Sequence, residues 1–200
     1  MGRQNASALF AFRKTGPMPQ PPFLILGRAG MDLYADPPGT RVEAALRFTT
    51  ALGGSAANIA VGLARLGGAV SLISAVSDDA VGRYVLNELK RYGVGAAHVR
   101  AVKGEARCSL AVVETRAENC QSVIYRNGAA DFEISVEQVA EIDFQKFGTL
   151  IVTGTALAKE PSRAATFLAL GRAQAAGLAT IIDVDHRPYS WNSASEAAAE

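Results

Sequence analysis

Short apolar runs bounded by turn residues recur along this chain, and most are separated by stretches with helical spacing. Phe23-Leu24-Ile25-Leu26, Ala69 to Val76, Leu150 to Gly154 and Ala179 to Asp183 are four such runs. Each is of the kind found in strands buried on both faces of a parallel sheet. Helical candidates lie between and after them. Gly53-Gly54-Ser55-Ala56-Ala57-Asn58 runs into Ile59 to Gly67. Its glycines permit a sharp turn or the close approach of a ligand, and Ser55 is placed to cap the helix. Ala56, Ala57, Ala60 and Ala64 keep it slim against a sheet, and Gly67 suits the position just past its end. Ser77-Asp78-Asp79 offers capping groups for a helix through Gly82 to Arg91. Ser135 to Glu141 is a short amphipathic candidate, Pro161 to Ala176 an alanine-rich one closed by Gly177, and another helix begins after Trp191. Strands alternating with helices predict an α/β class.

The pattern changes between Ala106 and Arg126. Cys108 to Val113 and Gln121 to Arg126 read as two strands joined by polar Glu114 to Asn119, an antiparallel pair. A hairpin inside a βα alternation suggests a small accessory sheet, such as a lid. Asp36-Pro37-Pro38-Gly39 favours a turn, and the semi-polar stretch to Leu52 is expected to be extended and off the main sheet. Residues 1–22 read as a mobile, Pro-rich tail. Ala6 to Phe12 is largely apolar, but it is short and runs into Arg13-Lys14 without a clear cleavage site. No internal repeat is visible.

Bulk properties narrow the function classes. Two hundred residues with 49% hydrophobic and 20% charged content suit one α/β domain with a real core. A formal net charge of +1 is not that of an electrostatic nucleic-acid binder. Cys108 and Cys120, the two cysteines, fit a reducing compartment and lack metal-site spacing. No apolar run approaches the roughly 18 residues needed to span a bilayer. A cytoplasmic protein with neither nucleic-acid nor membrane partner is expected. Neither a P-loop nor a Gly-x-Gly-x-x-Gly after the first strand is present, which disfavours a P-loop ATPase and a standard nicotinamide enzyme.

If the sheet is parallel, three polar points share the edge at which open α/β sheets bind ligands. They are Asp32 just past the first strand, Gly54 with Asn58, and the loop Asp183 to Arg187. Asp32 is either an acceptor for a pair of hydroxyls or a solvated turn aspartate. Asn58 carries donor and acceptor one turn inside an otherwise apolar helix. Arg126 either grips a carboxylate or phosphate with its planar fork or is an ordinary exposed strand residue. Arg187 is an anion holder or one half of an ion pair. Asp183, Asp185 and His186 imitate a metal cluster, but one histidine beside two carboxylates is a poor transition-metal set. His98 reads as structural or exposed.

These residues together resemble the N-terminal part of the ribokinase (PfkB) family of carbohydrate kinases. The resemblance is carried by Gly53-Gly54-Ser55-Ala56-Ala57-Asn58, by Asp32 upstream and by Ser77-Asp78-Asp79-Ala80-Val81-Gly82 downstream. Leu26 to Tyr34, Ile124-Tyr125-Arg126-Asn127 and Asp183 to Trp191 are similar to the branch acting on 5-dehydro-2-deoxy-D-gluconate in inositol catabolism. The resemblance implies a three-layer sandwich over residues 23–200, with a mostly parallel sheet and a small β lid from segments about 33–52 and 106–127. It implies ATP with Mg²⁺, and a sugar acid phosphorylated to its 6-phosphate.

Asp32 and Asn58 would hold hydroxyls, Gly53 and Gly54 would let the sugar approach, Tyr125 would bind the substrate, and Arg126 would engage its keto-acid or hydroxyl end. Arg187 would bind near the substrate and stabilise the transferred phosphoryl group. Asp183 and Asp185 would shape the phosphate side and help organise Mg²⁺ through water. A homodimer through the lid would follow the family. Its second signature, a Gly-Ala-Gly-Asp turn carrying the catalytic base, is expected beyond Glu200. No residue here is therefore nominated as the base, and the fold is expected to be incomplete at its C-terminus and inactive alone. The alternatives are a non-catalytic relative that binds a sugar acid or dimerises, and a 2-keto-3-deoxygluconate or fructose kinase. A nucleoside kinase is argued against by Tyr125-Arg126 and Asp185-His186-Arg187-Pro188.

Overall fold

The apolar run Phe23–Leu26 forms the central strand (β1) of a parallel sheet in the computed structural model, which describes residues 21–186 and 193–199. In chain order there follow Gly30–Asp36 (β2), Arg47–Gly53 (β3), Ser55–Arg65 (α1), Val70–Ser77 (β4), Ala80–Arg91 (α2) and Gly95–Val102 (β5). Ser109–Val113 (β6), Ser122–Tyr125 (β7), Val136–Ala140 (α3), Thr149–Thr153 (β8), Ser162–Ala175 (α4), Ala179–Asp183 (β9) and Ala194–Ala199 (α5) complete the set. The main sheet has the order β5-β4-β1-β8-β9 with every pairing parallel. The second sheet has the order β3-β2-β6-β7.

Alternation along β1 explains the three layers. Leu24 and Leu26 face one way and pack with Ile73, Leu150, Val152, Ile134 of the loop before α3, and Ala165, Ala169 and Ala173 of α4. Ile25 faces the other way, among Leu72, Ile151, Ala56, Ala57 and Ala60 of α1, and Val85 and Leu89 of α2. All three β1 residues are fully buried, each contributing about 1.5–3 kcal/mol. The alanines let both helices sit close to the sheet.

Asp79 caps α2, accepting from the backbone N–H of Val81 at 2.9 Å and Gly82 at 3.0 Å. The α1 start differs from expectation. Its N-cap is Gly54, and Ser55, the first helical residue, makes no capping bond. The Ser55 hydroxyl instead lies 3.4 Å from that of Thr155.

Other departures from the sequence reading have local causes. Asp32 lies not past a strand end but inside β2, because the chain turns at Gly27 after β1 and re-enters as a strand of the second sheet. There β2 pairs antiparallel with β3 and parallel with β6, and β6 pairs antiparallel with β7. β5 had no counterpart in the sequence reading. It is an edge strand whose residues are half-buried or exposed, so no apolar run announces it. The tail assigned to residues 1–22 lies outside the described residues up to position 20, as do Arg187 and Trp191. No helix among the described residues is long and apolar enough to cross a membrane.

Candidate functional site

The sequence of strands places a switch beside β1: the chain builds β4 and β5 on one side, then crosses to β8 and β9 on the other. The carboxyl ends of β1 and β8 meet there. A Cβ at Gly27 would lie 2.2 Å from Thr153 Oγ1, so only a glycine lets the two strand ends close up. Crevices at such switch points are where open α/β sheets take ligands. The N-terminus of α1 and the second sheet rise around this one.

Backbone geometry requires glycine at position 54, whereas at position 53 it is the Asp32 side chain that needs the space. Gly54 has φ +101°, and a Cβ there would sit 2.3 Å from the Arg28 carbonyl oxygen. A Cβ on Gly53 would lie 1.9 Å from Asp32 Oδ1. Asp32 is opposite Ala51 in the β2–β3 register, and its carboxylate leans across to the diagonal neighbour Gly53. The space that glycine vacates holds the carboxylate. Asp32 Oδ1 is buried and has no hydrogen-bond partner. Burial raises the Asp32 pKa above the ordinary 3.8, and the Arg28 guanidinium partly offsets that rise.

A cavity of about 260 Å³ opens onto this carboxylate, lined among others by Arg28, Asp32, Gly54, Ser55, Asn58 and Ile124. One wall is the inner face of the second sheet. Asp32, Ala111 and Ile124 are in cross-strand register there.

The second feature is cationic. Strand alternation carries Arg126, two residues after Ile124, towards that same inner side. It is buried at 7% exposure, with Asp131 at 2%. Arg126 Nε donates to Asp131 Oδ2 at 3.1 Å, Nη2 donates to Asp131 and to the Thr155 carbonyl, and the guanidinium carbon sits 4.1 Å from the Phe132 ring centroid. Nη1 is left without a partner. A cavity of about 410 Å³ has Arg126 in its wall, together with Ile124, Asn127, Gly128, Phe132, Ala158 and Lys159. Ile124 borders both cavities.

Asp32, Gly54 and Asn58 are thus brought together around one cavity and Arg126 around its neighbour, while Gly53 shapes the first from behind. Tyr125 is not with them. It pairs in register with Leu110, on the sheet face opposite Ile124, and is 58% exposed; a period of two separates it from its neighbours on either side.

Asp183 and Asp185 line neither cavity. Asp183 ends β9 and Asp185 follows it, where the Asp185 backbone N–H donates to Asp183 Oδ1 at 3.2 Å, a local turn. Among the described residues no three His, Cys, Asp or Glu gather to hold a metal ion. Arg187 falls outside the described residues.

The sequence reading missed Arg28, Asp131, Phe132, Thr155 and Lys159 as site residues. Arg28 had a signal in the glycines that bracket it, Gly27 and Gly30; the others reach the site only through long-range packing.

Residues 23–200 match the pfkB family carbohydrate kinase profile. The chain is 40% identical over 175 residues to a 5-dehydro-2-deoxygluconokinase of Photobacterium profundum, covering 88% of this chain and 53% of that protein. It superposes on a PfkB protein from Polaromonas sp. JS666 with a TM-score of 0.80 at 26% identity, covering 88% of this chain and 60% of the other. A fructokinase with bound ATP from Xylella fastidiosa gives a TM-score of 0.74 at 29% identity, with 88% and 55% covered. The chain spans about half the length of the curated relatives it matches.

Proposed function

The chain belongs to the pfkB family of carbohydrate kinases, and on that premise we propose that it supplies the substrate side of an ATP-dependent sugar-acid kinase. The substrate in this reading is 5-dehydro-2-deoxy-D-gluconate, phosphorylated to its 6-phosphate in myo-inositol catabolism. One observation carries it: two cavities meet at Ile124, one holding a buried carboxylate with a free oxygen, the other a buried guanidinium with a free N–H.

A linear sugar acid has the complementary ends. Its hydroxyls donate to Asp32 and exchange hydrogen bonds with Asn58, and Gly54 lets the carbon chain approach the backbone. Its carboxylate accepts from Arg126 Nη1, whose direction is fixed by Asp131, Thr155 and Phe132 before the ligand arrives. A neutral ketose satisfies the first cavity only. That is the reason for preferring the sugar acid to fructose.

ATP is the phosphoryl donor in this reading, supported by the family and by the ATP-bound fructokinase. Mg²⁺ would accompany it, held chiefly by the nucleotide phosphates and water, since no three His, Cys, Asp or Glu gather among the described residues. No residue is assigned to the ion, and no catalytic base is assigned either.

A second copy of the chain is the proposed partner. The outer face of the second sheet carries Met31, Leu33, Phe48, Val112, Val123 and Tyr125, of which Phe48, Val123 and Tyr125 are 39%, 51% and 58% exposed. A two-fold pairing of that face is self-complementary.

Calorimetric titration of the purified protein with 5-dehydro-2-deoxy-D-gluconate and with D-fructose tests the substrate. Binding of the acid at least about tenfold tighter is expected, and equal or reversed affinities would sink the reading.

A further inference from the structure

The cavity beside Arg126 contains a second cation that the family resemblance did not bring forward. Lys159 lies just past the turn that follows β8, and its ammonium nitrogen is 5.7 Å from the centroid of the Phe132 ring. Arg126 sits over the same ring at 4.1 Å. One aromatic ring therefore faces two cations at the wall of one cavity, and an anion entering it is attracted by both.

The local charges do not balance. Asp131 offsets Arg126 through their ion pair. Lys159 has no carboxylate within ion-pair distance among the described residues. Its neighbour Glu160 is engaged elsewhere, accepting from the Ala164 N–H at 3.1 Å and facing Arg163 at 3.5 Å. Arg126, Asp131 and Lys159 together leave one positive charge at a cavity walled by Arg126, whose buried Nη1 has no partner. That is the complement of a single monoanion.

The two cations differ in mobility. Arg126 is clamped on three sides, whereas Lys159 is exposed at the rim with a flexible stem.

We infer that Lys159 is a specificity-determining residue: it closes over the carboxylate end of the substrate while Arg126 Nη1 fixes that end from below. The inference rests on the sugar-acid reading above and adds to it a residue and a division of labour. Arg126 sets direction, and Lys159 supplies the uncompensated charge. Neutral sugars, which do not reach this cavity with a charged group, gain nothing from Lys159.

The test is calorimetric titration of the unaltered protein, Lys159→Met and Lys159→Arg with 5-dehydro-2-deoxy-D-gluconate and with D-fructose, at low and high salt. Methionine keeps the stem and removes the charge at an exposed position, so the fold is retained. Lys159→Met is expected to lose about five- to tenfold in affinity for the acid, with fructose unchanged. It should also show a weaker salt dependence than the unaltered protein, and Lys159→Arg should restore both. Unchanged affinity for the acid, or equal loss for acid and fructose, would overturn the role given to Lys159. An unaltered protein that does not prefer the acid would instead overturn the substrate reading, and this inference with it. The two failures are therefore distinguishable.

Discussion

Asp32 occupies an unusual position for a carboxylate: one oxygen is buried, nothing donates to it, and the neighbouring residue must be glycine for it to fit. A desolvated acceptor of this kind is costly while empty and strong when a hydroxyl fills it. Asp32→Asn should therefore weaken sugar binding about 10- to 100-fold, read by calorimetry, because the charged acceptor is lost. The same change has an opposite effect on the empty protein. A raised carboxyl pKa means that the folded state keeps its proton to higher pH than the unfolded chain. As pH rises from 3.8 through the folded value, ionisation subtracts stability, and the full cost stands at neutral pH. Asp32→Asn is expected to flatten the stability profile over that interval and to raise stability near neutrality, measured by urea denaturation across the pH range. A variant less stable than the parent at neutral pH would contradict the desolvation account. Arg126 shows the converse economy. Its ion pair with Asp131 is nearly dry, so its desolvation is largely complete before any ligand binds, and the unpartnered Nη1 is held in a fixed direction.

At the level of elements, the turn from β3 into α1 sets the site, since it fixes both the glycine pair and the direction of the helix. Gly54→Ala is expected to destabilise the fold by about 1–3 kcal/mol through a left-handed φ and a Cβ 2.3 Å from the Arg28 carbonyl. Gly53→Ala should act differently. Its Cβ meets a side chain, the Asp32 carboxylate, so the carboxylate is displaced and sugar affinity falls further than stability does. Thermal denaturation beside calorimetric titration of both variants separates the two; equal losses of stability and affinity in both would mean that the pair serves packing alone. Much of this turn was legible beforehand, because two adjacent glycines before an alanine-rich run signal a backbone forced into unusual space. The capping role given to Ser55 was not right, since Gly54 already occupies the cap and the serine hydroxyl turns to Thr155. β5 escaped notice for a related reason: an edge strand half-open to solvent needs no continuous apolar run.

At the scale of the whole molecule, two apolar surfaces stand open among the described residues. One is the outer face of the second sheet. The other is β9, the last strand of the main sheet, where consecutive Ile181 and Ile182 point to opposite faces and are 51% and 52% exposed. Among the described residues both isoleucines stay half-open although α4 flanks the strand, and such edges invite association. If the second sheet carries the proposed dimer, Val123→Lys should shift the sedimentation profile towards monomer while Ile182→Lys leaves it dimeric. The reverse pattern would move the interface to β9.

By itself the sequence determined the alternation of buried strands and helices, the glycine-led turn and the family, because these depend on local periodicity and on residues adjacent in the chain. It also nominated Asp32, Asn58 and Arg126. Only the tertiary structure decided that Asp32 sits within a second sheet, that Tyr125 faces away from Ile124, and that Arg126 is clamped by Asp131 with Lys159 beside it. Those facts depend on register between strands far apart in sequence, where a shift of one residue sends a side chain to the opposite face.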